Sequence, residues 1–341
     1  MTESSGMDGR GAAGAAGAAR YGVHLPVLDV PLSASRELFV ELSELGYTDF
    51  WSAEADTTDG IIPLALTSCW VPTARLGTAI LPVFTRGPAL LATTAATLAE
   101  AAPGRFALGI GASSKPIVEG WNGIPFTEPY RHTRDMVRFL RQAFAGERVD
   151  AAFDTFTVRG FRLGVVPQVP PALLVAALRP GMLRMASREA DGVILNWLSA
   201  DDLRDTVRAE VGPDKEIVCK VFVSTNPDPD RLRTEARRMI AAYLNVEVYA
   251  AYQRWLGREK LLTPMWDAWA AGDRRGAVAA IPDEVVDQLI VHGTPEQCRA
   301  GIQRYVDAGA TTVVIVGIGW GDPADDVMRA VAPGATRQAR T

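Results

Sequence analysis

Groups able to do chemistry are sparse in this chain. Its 341 residues include three histidines, His24, His132 and His292. No HxH or HExxH pair occurs, so an imidazole-based metal site lacks its usual spacing; His24 with Glu54 or Asp56 is the one weaker arrangement, and no metal is expected. No GxSxG elbow is present, which weakens a hydrolase reading. Cys69, Cys219 and Cys298 are odd in number and far apart, so neither a disulfide framework nor a CxxC knuckle is available. Two backbone features are more informative. Gly109-Ile110-Gly111, followed by Ala112-Ser113-Ser114, is an incomplete GxGxxG in which Ser114 replaces the third glycine. It reads equally as a tight turn or as a small-residue loop that a flat cofactor can approach closely. The second feature is an apolar run, Leu173 to Leu178, broken by Arg179-Pro180-Gly181 and followed by helical spacing from Met182. Pro180 suits a first helical turn, and free N–H groups with the helix dipole make that turn ready for an anion. Sparse side-chain chemistry beside these two features suggests that a bound cofactor carries the reaction.

These groups need a scaffold, and the rest of the chain is patterned for one. Short apolar runs near 21–26, 48–52, 75–81, 106–110, 173–178, 193–195, 217–224 and 312–318 alternate with helical periodicities. Such alternation means parallel strands joined by helical crossovers. Eight units in this length fit a (β/α)8 TIM barrel, an α/β fold, better than an open sheet. A helical insertion after strand seven, about residues 229–280, carries Trp255, Trp266 and Trp269, for which packing onto the barrel is the default reading. A small hairpin is expected near 153–161, outside the main sheet. Barrel sites lie at the C-terminal strand ends, which selects His24, Glu54, Asp56, Asp59, Ala79-Ile80, Ser113, Ser114, Arg179 to Gly181, Asn196-Trp197 and Gly317 to Gly321. Lys115, Arg131, His132 and Arg134 read as a solvated helix face more readily than as an anion site, and His292 as structural. Hydrophobic residues make up 48% and charged residues 22%, with a net charge of −5 and a pI near 5.4. That acidity argues against nucleic acid, and no apolar run is long enough for a membrane span. Residues 1–20, small and flexible without an apolar signal region, are expected to be a disordered tail. The remaining expectations are a single domain over 21–333, a flexible end at 334–341 and a cytoplasmic location.

In their order and spacing, several segments jointly resemble the bacterial-luciferase-like superfamily of flavin- or coenzyme F420-dependent barrels. They are GVHLP (22–26), LGYTDFWSAE (45–54), RLGTAILP (75–82), GRFALGIG (104–111), PYRHTRDMVRFLR (129–141), ALRPGMLRMASREADGVILNW (177–197) and GTPEQCRAGIQRYVDAGATTVVI (293–315). The ending ADGVILNW looks most like the F420-using branch. The resemblance implies a non-prolyl cis peptide at Ala79-Ile80 behind the ring. It also implies a cofactor phosphate at Leu178, Arg179, Pro180, Gly181 and Met182, and ribityl contacts from Ala112, Ser113 and Ser114. Asn196 and Trp197 are expected to face the same pocket. Several F420-using relatives carry Asp-His after strand two; here the pair is Glu54-Ala55. Glu54 is then a candidate for the acidic role and His24 for the imidazole. The implied activity is hydride exchange between F420 and a small-molecule or peptide-like organic substrate, in the direction of reducing an activated C=C or C=N bond. The alternatives are an FMN-dependent monooxygenase using O2, or a non-catalytic cofactor-binding or scaffold barrel. A homodimer is implied as well.

Overall fold

A computed structural model of the chain describes residues 19–334. Residues 1–18 of the expected tail and 335–341 of the expected flexible end lie outside the described residues. Arg20, placed in the tail by the sequence reading, instead opens the first strand. The strands are β1 (Arg20–Leu25), β2 (Asp49–Ser52), β3 (Arg75–Thr78), β4 (Phe106–Gly111), β5 (Ala172–Ala176), β6 (Gly192–Leu195), β7 (Glu216–Ser224) and β8 (Thr312–Gly317). Each pairs in parallel with the next, and β8 pairs with β1, so the ring closes into the expected (β/α)8 barrel. Closure leaves the ring strands without a free edge. Helices α1 (Ser35–Glu44), α2 (Ile62–Trp70), α3 (Pro88–Ala101), α4 (Pro129–Phe144), α5 (Pro180–Glu189) and α6 (Ala200–Asp202, continuing irregularly to Glu210) follow the first six strands. α3, α4 and α5 each start on a proline, the residue whose missing N–H costs nothing in a first turn. The hairpin outside the barrel pairs Val149–Ala152 with Thr157–Phe161, starting four residues earlier than its sequence pattern suggested.

Alternate strand residues point inward, and the inward set explains why the barrel is solid below its mouth. Trp51 on β2 is fully buried at its centre. A Cβ on Gly22 would lie 2.8 Å from the Trp51 ring, and one on Gly77 only 2.2 Å away. Two strands therefore give up their side chains to admit one indole. Ala107, Leu174, Ile194, Val218 and Val314 complete that layer. Beneath it the barrel is plugged by charge. Arg75 meets Glu216 through two bonds of 2.6 and 2.8 Å, Arg20 reaches Glu216 at 2.7 Å, and Arg75 lies 3.4 Å from the buried Asp49.

The insertion runs further than its sequence pattern suggested. It comprises α7 (Pro229–Leu244), α8 (Glu247–Trp255), α9 (Glu259–Ala270), α10 (Arg274–Ala279) and α11 (Asp283–Leu289). Pro282 interrupts the chain, but Asp283 and Glu284 occupy a new first turn, where their charge favours a restart. A short strand, Ile290–His292, then pairs with the end of β7, and α12 (Pro295–Asp307) and α13 (Ala324–Ala330) flank β8. The insertion has its own core, built on Leu232, Ile240, Leu244, Leu262, Met265 and Val285. Its tryptophans pack. The Trp266 Nε1 donates to the Leu244 carbonyl at 2.8 Å, Arg274 covers Trp269 at 3.9 Å, and Trp255 stacks on Tyr252. Among the described residues no helix is long and apolar enough to cross a membrane.

The charged plug makes stability depend on pH. Burial works to raise the Glu216 pKa, but Arg75 and Arg20 outweigh it and hold it below the ordinary 4.5. A depressed carboxylate stabilises the fold above its unfolded value, and that contribution is lost as pH falls through the folded one. Glu216→Gln leaves Arg75 and Arg20 with Asp49 alone and should cost roughly 3 kcal/mol at neutral pH. It should also flatten the acid limb of the stability profile, as urea midpoints across the acid range will report.

Candidate active site

At the C-terminal end of the barrel one wall is made of backbone and small side chains. The Ala79–Ile80 peptide bond is cis, as the resemblance implied. The Thr78 hydroxyl donates to the Gly109 carbonyl and accepts from the Gly109 N–H, both at 2.8 Å, and the Glu54 N–H donates to the Ile80 carbonyl at 3.1 Å. A Cβ on Gly109 would sit 1.9 Å from the Thr78 carbonyl oxygen, so that glycine serves the bulge after β3 rather than a ligand. Gly111 is different: its Cβ would come 3.0 Å from Ala176 and 3.4 Å from Ile80. Ile80, Gly111, Ala112 and Ala176 thus form a low surface, with Ala79 buried behind it. Ser113, at φ 65°, and Ser114 stand half-buried at its rim.

Next along the rim, the chain leaves β5 through Leu178 and Arg179 and enters α5 at Pro180. Arg179 is extended and exposed, and its side chain caps nothing. The N–H groups of Gly181 and Met182 have no partner within the helix, and a Cβ on Gly181 would meet nothing within 4 Å. A ten-residue helix with an uncapped, accessible start fits a phosphate, so the residues named from sequence do stand together. The small-residue wall beside them fits a flat ring, and the two features adjoin through β4 and β5.

The polar candidates are arranged less as the sequence suggested. The Glu54 carboxylate accepts bonds of 3.1 and 2.9 Å from Arg86 Nε and one of 2.5 Å from its Nη2. It also accepts from the Gly60 N–H at 3.4 Å, and Arg86 reaches Asp59 at 2.7 Å. Glu54, the candidate for the acidic role, is therefore an ion-paired carboxylate beside the cis bulge. Trp197, expected to face the pocket, is placed differently. It is only 1% exposed, at φ 54°, and packs between Phe222 and Tyr243 at 4.4 and 5.0 Å. Its indole belongs to the insertion's core and gives the mouth no surface. His24 does face inward, at the level of Trp51, and its Nδ1 has no partner. Burial, then the nearby Lys220 charge, pushes its pKa well below 6.5 against a smaller backbone effect of Trp51; the ring is neutral at physiological pH. Asn196 is half-buried, with its amide 3.5 Å from the Tyr249 hydroxyl. His132 is structural, stacked on Phe84 at 4.3 Å and 3.2 Å from the Val83 carbonyl.

Four residues of this region escaped the sequence reading. Arg86 lies in the loop before α3, a strand-end loop whose arginine could have been noticed. Lys220 is a lone charge inside the apolar strand EIVCKVFVS, at the inward parity of Val218. Tyr243 and Tyr249 come from α7 and α8, and no periodicity signals that the insertion brings phenols back over Asn196.

The comparisons with known proteins bear on this arrangement. The family model of luciferase-like monooxygenases matches residues 9–312. The chain belongs to that family. Among luciferase-like relatives, the 5,10-methylenetetrahydromethanopterin reductase of Archaeoglobus fulgidus is 27% identical over 293 residues, covering 82% of this chain and 88% of its own. The F420-dependent glucose-6-phosphate dehydrogenase of Rhodococcus erythropolis is 27% identical, covering 70% and 72%. Of solved luciferase-like folds, the coenzyme F420-dependent tetrahydromethanopterin reductase from Methanopyrus kandleri superposes with a TM-score of 0.73 at 19% identity, over 94% of this chain and 99% of that one.

If Glu54 is an anchor, removing its charge should damage the fold around the bulge. Glu54→Gln leaves Arg86 with Asp59 alone and should cost about 1–2 kcal/mol, measured as a drop in the thermal midpoint of the purified protein.

Proposed function

We propose that the protein is an F420-dependent oxidoreductase in which the reduced cofactor gives hydride to an activated C=C or C=N bond of a small-molecule or peptide-like organic substrate. The observation that carries this reading is the small-residue wall leading directly to the open start of α5, which suits a flat ring continued by a phosphate. The F420-dependent relatives support the choice of ring. When bound, the deazaflavin supplies the hydride; this chain's residues hold, orient and screen it. Ile80, Gly111, Ala112 and Ala176 would bear on one face, Ser113 and Ser114 would line a polyol chain, and Leu178 to Met182 would hold the phosphate.

The direction rests on the acid–base inventory. Alcohol oxidation needs a base near the transferred hydride. Position 55 is an alanine where several F420-using relatives have histidine, Glu54 is bound by Arg86, and burial makes His24 a weak base. Tyr249, held protonated by burial and near Asn196, suits product protonation better than proton removal. The family model's description favours one second reading, an FMN-dependent monooxygenase. Fluorescence titration of the purified protein with F420 and with FMN decides between them. F420 should bind more tightly, and Gly181→Asp, which adds negative charge at the phosphate seat, should weaken it about tenfold or more. Tight FMN binding without F420 binding would overturn the proposal.

A cytoplasmic homodimer belongs to the same proposal. Ile62 (57% exposed), Leu66 (36%) and Leu90 (58%) lie on the neighbouring helices α2 and α3, an apolar face suited to a second copy. Leu90→Glu should shift the sedimentation coefficient from dimer to monomer.

A further inference from the structure

Lys220 is an inward-facing lysine without a counter-ion among the described residues. Val218, two residues earlier, belongs to the layer around Trp51, so strand alternation turns Lys220 into the barrel just above that floor. Burial pushes its pKa down to about 8, and no carboxylate among the described residues forms an ion pair with it. At pH 7 such an amine is still about nine-tenths protonated. The surroundings make the missing partner conspicuous. Glu216, four residues below on the same strand, is taken up by Arg75 and Arg20. Glu54 and Asp59 are taken up by Arg86. His24, close enough to feel the Lys220 charge, is neutral and has an unpartnered Nδ1. β6 and β7 pair Leu195 with Cys219, so the next position sets Asn196 beside Lys220. A cation, an amide and a neutral imidazole thus share the inner wall, and an uncompensated charge of this kind is costly unless a ligand completes it.

We propose that Lys220, flanked by Asn196 and His24, forms an anion subsite inside the barrel mouth that receives a delocalised organic oxyanion. This rests on the reading of the mouth as an active site. The oxyanion has two possible sources, a substrate carboxylate or the ionised oxygen of the deazaflavin ring. Lys220 pairs with it through a charge-assisted bond, and the Asn196 amide donates a second. The subsite lies on β1, β6 and β7, whereas the small-residue wall and the phosphate seat lie on β3, β4 and β5, so the two can be filled together.

Two arms of one experiment test this with wild type, Lys220→Met and Lys220→Arg. The first uses calorimetry of the protein without cofactor, with benzoate as the carboxylate probe and benzamide as its neutral control. A preference for benzoate that falls about tenfold or more in Lys220→Met and is retained in Lys220→Arg supports the subsite and assigns it to the substrate. The second follows the absorbance of bound F420 against pH. Ionisation at lower pH than in free F420, moved back up by about one pH unit in Lys220→Met, supports the subsite and assigns it to the ring. Wild type that shows neither effect, or variants that match wild type in both arms, would overturn the proposal. The thermal midpoint separates binding from scaffolding: Lys220→Met should melt no lower than wild type, because it removes an unpaired charge, and a clear drop would also overturn it. Failure of wild type to bind F420 defeats the functional reading, while the benzoate arm still judges the subsite.

Discussion

The architecture of the mouth depends on Trp51. An indole at the centre of an eight-stranded barrel needs more room than the interior offers, and Gly22 and Gly77 provide it by having no side chains. With the ring in place, the barrel below is solid, capped on that side by Arg75, whose guanidinium lies 5.5 Å from the indole centroid. Above the ring the inward-facing positions include His24 and Lys220. The floor therefore sets the depth to which His24 and Lys220 are buried, and that burial makes one a neutral imidazole and the other a cation with a lowered pKa. Moving the floor would change their chemistry without touching them.

Division of labour around the rim follows the same packing logic. Strands β3 to β5 contribute residues too small to project, and their backbones approach closely enough that Gly109 can carry no side chain. Strands β6, β7 and β1 contribute the polar groups. The insertion covers that polar side, anchored by Trp197 under α7 and by Arg258, which reaches Asp202 at 2.5 Å and Gln288 at 2.6 Å. A buried anchor of this kind fixes where Tyr243 and Tyr249 stand. Specificity on this side is then a property of the insertion's packing as much as of the barrel.

Much of the scaffold was legible in the chain because its signals are local. Continuous apolar strands, proline-started helices and the break at Arg179-Pro180-Gly181 depend on a few neighbouring residues, and the barrel, the uncapped start of α5 and the small-residue wall follow from them. The cis bond at Ala79–Ile80 came instead from resemblance; nothing in its local composition requires it. The insertion runs past residue 280 because the acidic turn after Pro282 starts another helix.

The sequence by itself determined the order of the elements, the fold class and which strand ends carry small or anion-ready backbone. Only the tertiary structure decided which charged groups are free. Glu54 and Arg86 are 32 residues apart in the chain yet close enough to bond, so the Glu54 carboxylate is ion-paired. Trp197 follows Asn196 directly, but its left-handed backbone turns it into the insertion while Asn196 stays at the mouth. Lys220 is a lone charge in an apolar strand, and it is the closed ring that places it near His24. Pairing energies depend on distance and on the loss of water around the pair, and neither is written in the order of the residues.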